Sequence, residues 1–198
     1  LLERFGIQVL PIDLPDTIRA IRRRVEQNRA AYQRELAEFQ RWVSFNHFRR
    51  EDDILANFAL RDVLVELAEK HGLDAFCIQS FNSIPNEFDA FLQFGCCLVA
   101  DAGYPVGPES DLHAAISSVL LEAASDRPEP SFVPDVTIRH PENDHAVLLW
   151  HADAPLSLRH ADSAVKVDLP WILKGLPTGL VHFRLKDGPL TLARFAGG

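Results

Sequence analysis

The sequence has little cysteine, and its three cysteines do not form the pattern of a zinc site. Cys77 stands alone and Cys96 is adjacent to Cys97, so no Cys-x-x-Cys spacing occurs, and neighbouring thiols rarely bridge to each other. All three lie in apolar runs, which predicts small, buried side chains in a reducing compartment. The expected location of the protein is therefore the cytoplasm.

Basic residues are also in deficit. Twenty lysines and arginines stand against 28 aspartates and glutamates, which gives a net charge of −8. The phosphate backbone of DNA or RNA requires a basic surface, so this balance argues against a nucleic-acid partner. No run of residues approaches the roughly 20 apolar positions that a membrane span needs, so no membrane partner is expected either.

Several common catalytic signatures are missing as well. The chain has no glycine-rich phosphate loop, no serine nucleophile elbow, and no cysteine–histidine pair in convincing context. These absences argue against a nucleotide-binding P-loop enzyme, an α/β-hydrolase and a cysteine hydrolase.

The chain does contain enough apolar sequence for a core, since 47% of its 198 residues are hydrophobic. Residues 1–127 alternate helical periodicity with short apolar strands, which predicts a layered α/β unit. Residues 128–198 contain short strand-like runs separated by turn residues, which predicts a mainly β domain. The predicted helices cover about 15–45, 52–70, 86–100 and 110–124, and the predicted strands cover 74–81, 133–138, 146–150, 156–158, 180–185 and 190–195.

The two ends of the sequence predict a piece of a longer protein. The chain contains no methionine, and residues 1–10 begin like a helix end followed by a glycine and a strand. The last two predicted strands form a hairpin candidate around Lys186-Asp187-Gly188-Pro189, close to the final residue. We therefore expect a fragment, with the α/β domain truncated at its N-terminus and the β domain truncated at its C-terminus.

Two acidic residues are the candidate functional groups. Glu109 lies just before a predicted helix, and Asp135 lies at the head of a predicted apolar strand. A carboxylate next to buried sequence needs a partner, and a metal ion can satisfy two of them at once. The alternatives are that Glu109 complements the dipole of the following helix and that Asp135 is an ordinary turn residue.

The surroundings of both acids carry a family resemblance. Residues 96–116 read Cys-Cys-Leu-Val-Ala-Asp-Ala-Gly-Tyr-Pro-Val-Gly-Pro-Glu-Ser-Asp-Leu-His-Ala-Ala-Ile. This stretch resembles the L-fucose/L-arabinose isomerase family, in its middle domain and the start of its C-terminal β domain. The family has a helix, a Gly-x-Pro-Val strand, a Glu-x-Asp motif and then a helix of small residues. The resemblance implies that Glu109 is a metal ligand and proton carrier and that Asp135 is the second acid of a manganese centre.

The resemblance extends to two further residues. His151 closes the predicted strand 146–150, where the arabinose-type branch of the family has a histidine near the metal and the sugar. Gln79, near the end of the predicted strand 74–81, matches a substrate-contacting glutamine of the fucose-type branch. A histidine satisfied by backbone groups is the alternative for His151. The family draws another histidine ligand from a segment beyond the end of this chain.

The resemblance implies a metal-dependent aldose–ketose isomerase that acts through an enediol on a deoxy sugar or pentose such as L-fucose or L-arabinose. Its implied cofactor is Mn²⁺, with Mg²⁺ or another divalent ion possible, and the whole protein is expected to be a trimer or hexamer. A non-catalytic sugar-binding or regulatory relative of the same fold is the main alternative. A structural α/β module with incidental acids is a third reading.

Overall fold

The computed structural model describes residues 2–126, 129–171 and 174–196, and it is a mixed α/β structure. The helices are α1 (Leu2–Phe5), α2 (Leu14–Phe39), α3 (Glu51–His71), α4 (Ser83–Phe88), α5 (Gln93–Asp101) and α6 (Leu112–Ala124). The strands are β1 (Val43–Phe45), β2 (Phe76–Cys77), β3 (Val106–Gly107), β4 (Asp135–Arg139), β5 (Val147–Trp150), β6 (Val165–Asp168) and β7 (Leu180–His182). Short 3₁₀ turns cover Pro108–Ser110 and Leu156–Leu158. The predicted domain boundary, between residues 127 and 128, lies outside the described residues.

The core forms where α2, α3 and α5 pack together. The apolar residues of α2 recur at helical spacing on one face, and that face is buried: Ile18, Ile21, Val25, Tyr32 and Leu36. The other face of α2 is charged and is linked to α3 by ion pairs, such as the one between Arg29 and Asp52. Strands β6 and β7 contribute to the same core through Val165, Val167 and Val181.

Three small sheets surround these helices. In the first, β1 pairs in parallel with β6, and β6 pairs antiparallel with β7. The second is the parallel pair of β2 and β3. The third is the antiparallel hairpin of β4 and β5, whose apolar side chains Val136 and Ile138 are exposed.

Several predicted elements are confirmed and others are wrong. Helix 52–70 is confirmed as α3, which ends where Gly72 adopts a left-handed conformation with φ 63°. The predicted helix 15–45 ends earlier, at Phe39, and its last residues form β1. The predicted helix 86–100 is two helices, because Asp89 is left-handed and Ala90 bridges to Thr178.

The predictions for the second half of the chain also need correction. Residues 156–158 form a 3₁₀ turn and not a strand, because Asp101 accepts hydrogen bonds from the backbone of Leu156 and Ser157. The predicted hairpin of 180–185 and 190–195 does not form. Within the described chain, β7 ends at His182 and residues 190–195 have no regular secondary structure. Strand β6 was not predicted.

Two other expectations concern the first residues and the membrane. Residues 6–13 contain no strand in the described chain, although the sequence at 7–10 predicted one after the N-terminal helix end. Among the described residues, no helix combines the length and the apolar character needed to cross a bilayer.

Candidate functional site

The candidate site is built on the carboxyl ends of β2 and β3. These strands are parallel, with Phe76 opposite Val106, so the chain leaves both strands at the same edge. Beyond the strands, the N–H of Ile78 donates to the oxygen of Gly107 at 3.1 Å, and the N–H of Ser110 donates to the oxygen of Ile78 at 3.0 Å. The loops that carry Gln79 and Glu109 therefore lie side by side.

Glu109 stands in a strained piece of backbone. It has φ 55°, and the next residue, Ser110, has φ 63°, so two consecutive non-glycine residues are left-handed. Each such residue costs on the order of 1 kcal/mol, and strain of this kind concentrates at functional sites. Glycine at position 107 lets the loop fold tightly, because a Cβ there would lie only 2.5 Å from the carbonyl oxygen of Asp111. The side chain of Asp111 then caps α6 by accepting a hydrogen bond from the N–H of Ala114 at 2.9 Å.

Gln79 is half-buried and partly engaged by its own loop. Its Oε1 accepts from the N–H of Ser83 at 3.2 Å and from the N–H of Asn82 at 3.4 Å. The side-chain oxygen therefore holds the start of α4, while the Nε2 group retains two donors. This placement at a strand end agrees with the sequence reading of its position.

Asp135 and His151 lie at the same end of the β4–β5 hairpin. Asp135 is the first residue of β4 and pairs with Trp150, the last residue of β5, and His151 follows directly. The sequence had placed the two residues at a strand start and a strand end, and both positions are confirmed. Asp135 is exposed, whereas the His151 side chain is only 12% exposed.

The imidazole of His151 lies within the electrostatic range of Asp135 and Glu109. Burial lowers its pKa, but a hydrogen bond to Asp153 and the charges of Asp153, Asp135 and Glu109 outweigh burial and raise it. Nδ1 of His151 lies 2.7 Å from Oδ1 of Asp153. Glu109 and Asp135, the two carboxylates predicted from the sequence, thus both act electrostatically on His151, the histidine predicted with them.

The donor set fits a hard divalent cation in kind, because carboxylate oxygens and an imidazole nitrogen suit Mn²⁺. In the ranges 2–126, 129–171 and 174–196, however, no three His, Cys, Asp or Glu side chains are grouped closely enough to hold a metal ion. The described residues therefore include suitable types of metal ligand near His151, but no three of them are close enough together to bind one ion.

Two residues that sequence reasoning missed belong to this neighbourhood. Asp153 contacts His151, and its position two residues further along the chain could have drawn attention to it. Ser80 directly follows Gln79, is buried, and has a side-chain oxygen without a hydrogen-bond partner among the described residues. No sequence signal distinguished Ser80 from an ordinary loop serine.

A small cavity lies beside His151 and has mainly apolar and aromatic walls, including Trp150, Val181 and Phe183. The indole of Trp150 also makes an edge-to-face contact with that of Trp171, at 5.9 Å between ring centroids. Trp171 itself is 57% exposed, so it forms part of the protein surface and not of the core.

The cysteines behave as the composition predicted. All three are free thiols, with Cys96 and Cys97 buried and Cys77 half-buried. Burial raises the pKa of Cys77 to about 11 and raises that of Cys97 well above its usual value. These thiols are therefore protonated near neutral pH, which is unsuited to nucleophilic catalysis.

Comparison with known proteins does not assign the chain to a family. No protein-family model matches the sequence, and no curated protein is significantly similar to it. The family resemblance and the roles that it implies for Glu109, Asp135, His151 and Gln79 therefore remain predictions.

Proposed function

We propose that this chain carries the metal-binding part of an aldose–ketose isomerase that acts on a deoxy sugar or pentose such as L-fucose or L-arabinose. The observation that supports this most is that the His151 side chain, which is 12% exposed and contacts Asp153, also lies within the electrostatic range of Glu109 and Asp135, which are far apart in sequence. The strained backbone at Glu109 supports it independently. In this proposal the layered α/β unit and the mainly β part together form the isomerase fold, in a cytoplasmic homo-oligomer.

Glu109 and Asp135, with His151, are the residues that would hold a manganese ion, and binding would have to draw them closer together than they lie in this structure. When bound, Mn²⁺ would polarise the oxygens at C1 and C2 of the sugar. One of the two carboxylates takes a proton from one carbon or oxygen of the sugar and returns it to the neighbouring one, so that the reaction passes through an enediol. The half-buried Gln79 lies in the loop beside that of Glu109, and in this proposal its Nε2 donors orient a sugar hydroxyl.

The position of these groups suits proton transfer. Both carboxylates are exposed, so a sugar can reach them, while the side chain of His151 is largely shielded from water. The low solvent access of the imidazole strengthens the effect of nearby charges on His151. The sugar is thus expected to bind on the exposed side of the carboxylates, opposite the Asp153 contact.

The test is an isomerisation assay with L-fucose, L-arabinose and D-arabinose in the presence of Mn²⁺, combined with titration of Mn²⁺ followed by its electron paramagnetic resonance signal. We expect E109Q and D135N each to lose Mn²⁺ affinity and to reduce turnover by at least about a hundredfold. The matched control is E142Q, which neutralises an exposed carboxylate in the turn at the other end of the β4–β5 hairpin and should leave both unchanged.

The outcomes separate two classes of function. Sugar binding without turnover and without Mn²⁺ binding would replace the proposal with a non-catalytic sugar-binding protein. Mn²⁺ binding that is equally strong in wild type, E109Q and D135N would remove these two residues from the site. Light scattering of the purified protein gives the oligomeric state in the same series.

A further inference from the structure

Asp153 is a buried carboxylate with an unusual partner. Its side chain is 6% exposed, and its Oδ1 lies 2.7 Å from Nδ1 of His151. An ionised carboxylate in such a place is costly unless it is hydrogen-bonded or paired. The contact between Asp153 and His151 is therefore a buried, structural interaction and differs from an ion pair on the surface.

This contact determines which nitrogen of the ring carries a proton. An ionised carboxylate only accepts hydrogen bonds, so Nδ1 of His151 must be the donor. In the neutral ring the other nitrogen, Nε2, is then unprotonated and keeps its lone pair. Only a nitrogen in this state can accept a proton or bind a metal ion.

The backbone around Asp153 does not need this carboxylate to stay in place. The N–H of Val181 donates to the oxygen of Ala152 at 3.1 Å, which ties the segment to β7. On the other side, Asp101 accepts from the N–H groups of Leu156 and Ser157 at 2.8 and 3.2 Å. The segment is thus anchored before and after Asp153, and the hydrogen-bonding partner of the Asp153 side chain is His151.

We propose that Asp153 is a positioning residue that fixes His151 in the tautomer with the proton on Nδ1 and presents an unprotonated Nε2 to the candidate site. The inference rests on the proposed function for the use of Nε2, whereas the proposed tautomer rests only on the Asp153–His151 contact. In the proposed reaction Asp153 does not contact the sugar and acts only through the imidazole ring of His151.

The first experiment reads the tautomer directly. The chain with ¹⁵N-labelled histidine is studied by long-range ¹H–¹⁵N correlation at about pH 9, well above the ordinary pKa of histidine, and the His151 signals are assigned by their loss in H151Q. We expect wild type to show the proton on Nδ1. D153N has nearly the same shape but can offer an N–H to the ring, so we expect the proton to move to Nε2 in at least half of the molecules. D153A has no side-chain group that can form a hydrogen bond with the ring, so it should also lose the strong preference for the Nδ1–H form.

The matched control is D101N, which alters another carboxylate that contacts the same segment without touching His151. We expect its His151 tautomer to remain that of wild type. Circular dichroism of each variant shows whether it is folded, and D153A or D153N suffices if only one of them folds. A wild-type ring with its proton on Nε2, or a folded D153N and D153A that both keep the Nδ1–H form, would overturn the proposal.

The second experiment connects the tautomer to the site. Loss of a residue that orients a metal-binding histidine typically weakens the metal by about 10- to 100-fold. We expect D153N to show this loss in Mn²⁺ titration and D101N to stay within about twofold of wild type. Equal Mn²⁺ affinity in wild type and D153N overturns the role of Asp153 in the site.

Failure of the positioning role is distinguishable from failure of the proposed isomerase function. A wild-type protein that isomerises a sugar, together with a D153N variant of unchanged tautomer and turnover, rejects the positioning role alone. A wild-type protein that isomerises none of the sugars but whose tautomer depends on Asp153 rejects the isomerase function, and the positioning of His151 stands.

Discussion

The side-chain oxygen of Asn57 accepts a hydrogen bond from the backbone N–H of Gly95 at 2.9 Å, which ties α3 to the start of α5. Asn57 is fully buried, and its Nδ2 donates to the carbonyl oxygens of Asp53 and Ile54, each at 3.2 Å. The helices can approach closely because Gly95 has no side chain, since a Cβ there would lie 2.7 Å from the carbonyl oxygen of Asn57. One polar side chain and one glycine thus form the contact between two core helices.

Replacing Asn57 should destabilise the protein strongly. N57A leaves the N–H of Gly95 buried without a partner and opens a cavity, so we expect a loss of about 2 kcal/mol or more in the free energy of unfolding. Urea unfolding followed by circular dichroism measures it. The control N86A changes an exposed asparagine of α4 and should stay within about 0.5 kcal/mol of wild type. Equal stability of N57A and N86A would contradict the assigned contact.

Gly179 offers a second stability test with a control in the same loop. It has φ 116°, and a Cβ would lie 2.1 Å from the carbonyl oxygen of Phe91. Gly175 also has a positive φ, of 85°, but a Cβ there would meet nothing within 4 Å.

We expect G175A to cost only the left-handed backbone penalty of roughly 1 kcal/mol, and G179A to cost at least about 2 kcal/mol more because Phe91 must move. Thermal and urea unfolding of both variants give the comparison. If G179A is as stable as G175A, the close approach of Gly179 to Phe91 is wrong.

The hydroxyl of Tyr32 provides a test of pH dependence. Burial, together with the hydrogen bond that it donates to Asp62 at 2.7 Å, raises the pKa of Tyr32 to about 12. The neutral phenol is therefore favoured in the folded state relative to the unfolded state. Its contribution to stability is fully present below about pH 10, the ordinary pKa of tyrosine, and is lost as the pH rises through about 12.

Ultraviolet absorbance of ionised tyrosine measures this titration. In wild type, part of the signal from the two tyrosines should appear only near pH 12, and this late part should be absent in Y32F. Unfolding experiments should likewise show a smaller loss of stability above about pH 10 for Y32F than for wild type. A titration curve that is unaltered in its late part by Y32F would count against the buried Tyr32–Asp62 contact.

The two polar atoms of the Gln79 side chain have different expected roles, a structural one for Oε1 and a sugar-binding one for Nε2. Its Oε1 caps the start of α4, whereas its Nε2 is left for a sugar. Q79E keeps an oxygen acceptor but loses the donors. We therefore expect stability within about 0.5 kcal/mol of wild type and a sugar KM raised about tenfold, the equivalent of one lost hydrogen bond.

Q79A removes both Oε1 and Nε2. It should lower the free energy of unfolding by about 1 kcal/mol and raise the sugar KM as much as Q79E does. Urea unfolding and sugar titration separate the two effects. An unchanged KM in Q79E would restrict Gln79 to its structural role.

The elements that the sequence predicted well are those with strong local signals. In α3 the apolar pattern and the stop at Gly72 are both local, and both are found in the structure. Strands β1 and β6 carry no such signal, because each is short, and β1 gains its hydrogen bonds from β6, more than a hundred residues away. The break before α5 is also tertiary, since the N–H of Phe91 donates to the oxygen of Thr178 at 2.7 Å.

The candidate site shows the same division. The positions of Gln79, Asp135 and His151 at strand ends, and of Glu109 just before a helix, could be predicted because they follow from local pattern and turn residues. The left-handed backbone of Glu109 could not, since neither Glu109 nor Ser110 is a residue type that favours it. The partnership of His151 with Asp153 also depends on a bend after β5 that no local pattern specifies.

The parallel register of β1 and β6, with Val43 opposite Val165, has a consequence for biosynthesis. As the chain emerges from the ribosome, the strand that completes the hydrogen bonds of β1 follows 122 residues after it, as the pairing of Val43 with Val165 shows. Until then the backbone edge of residues 43–45 is open to other strands. A nascent protein of this topology therefore depends on quick completion of translation, or on a chaperone that shields this edge in the interval.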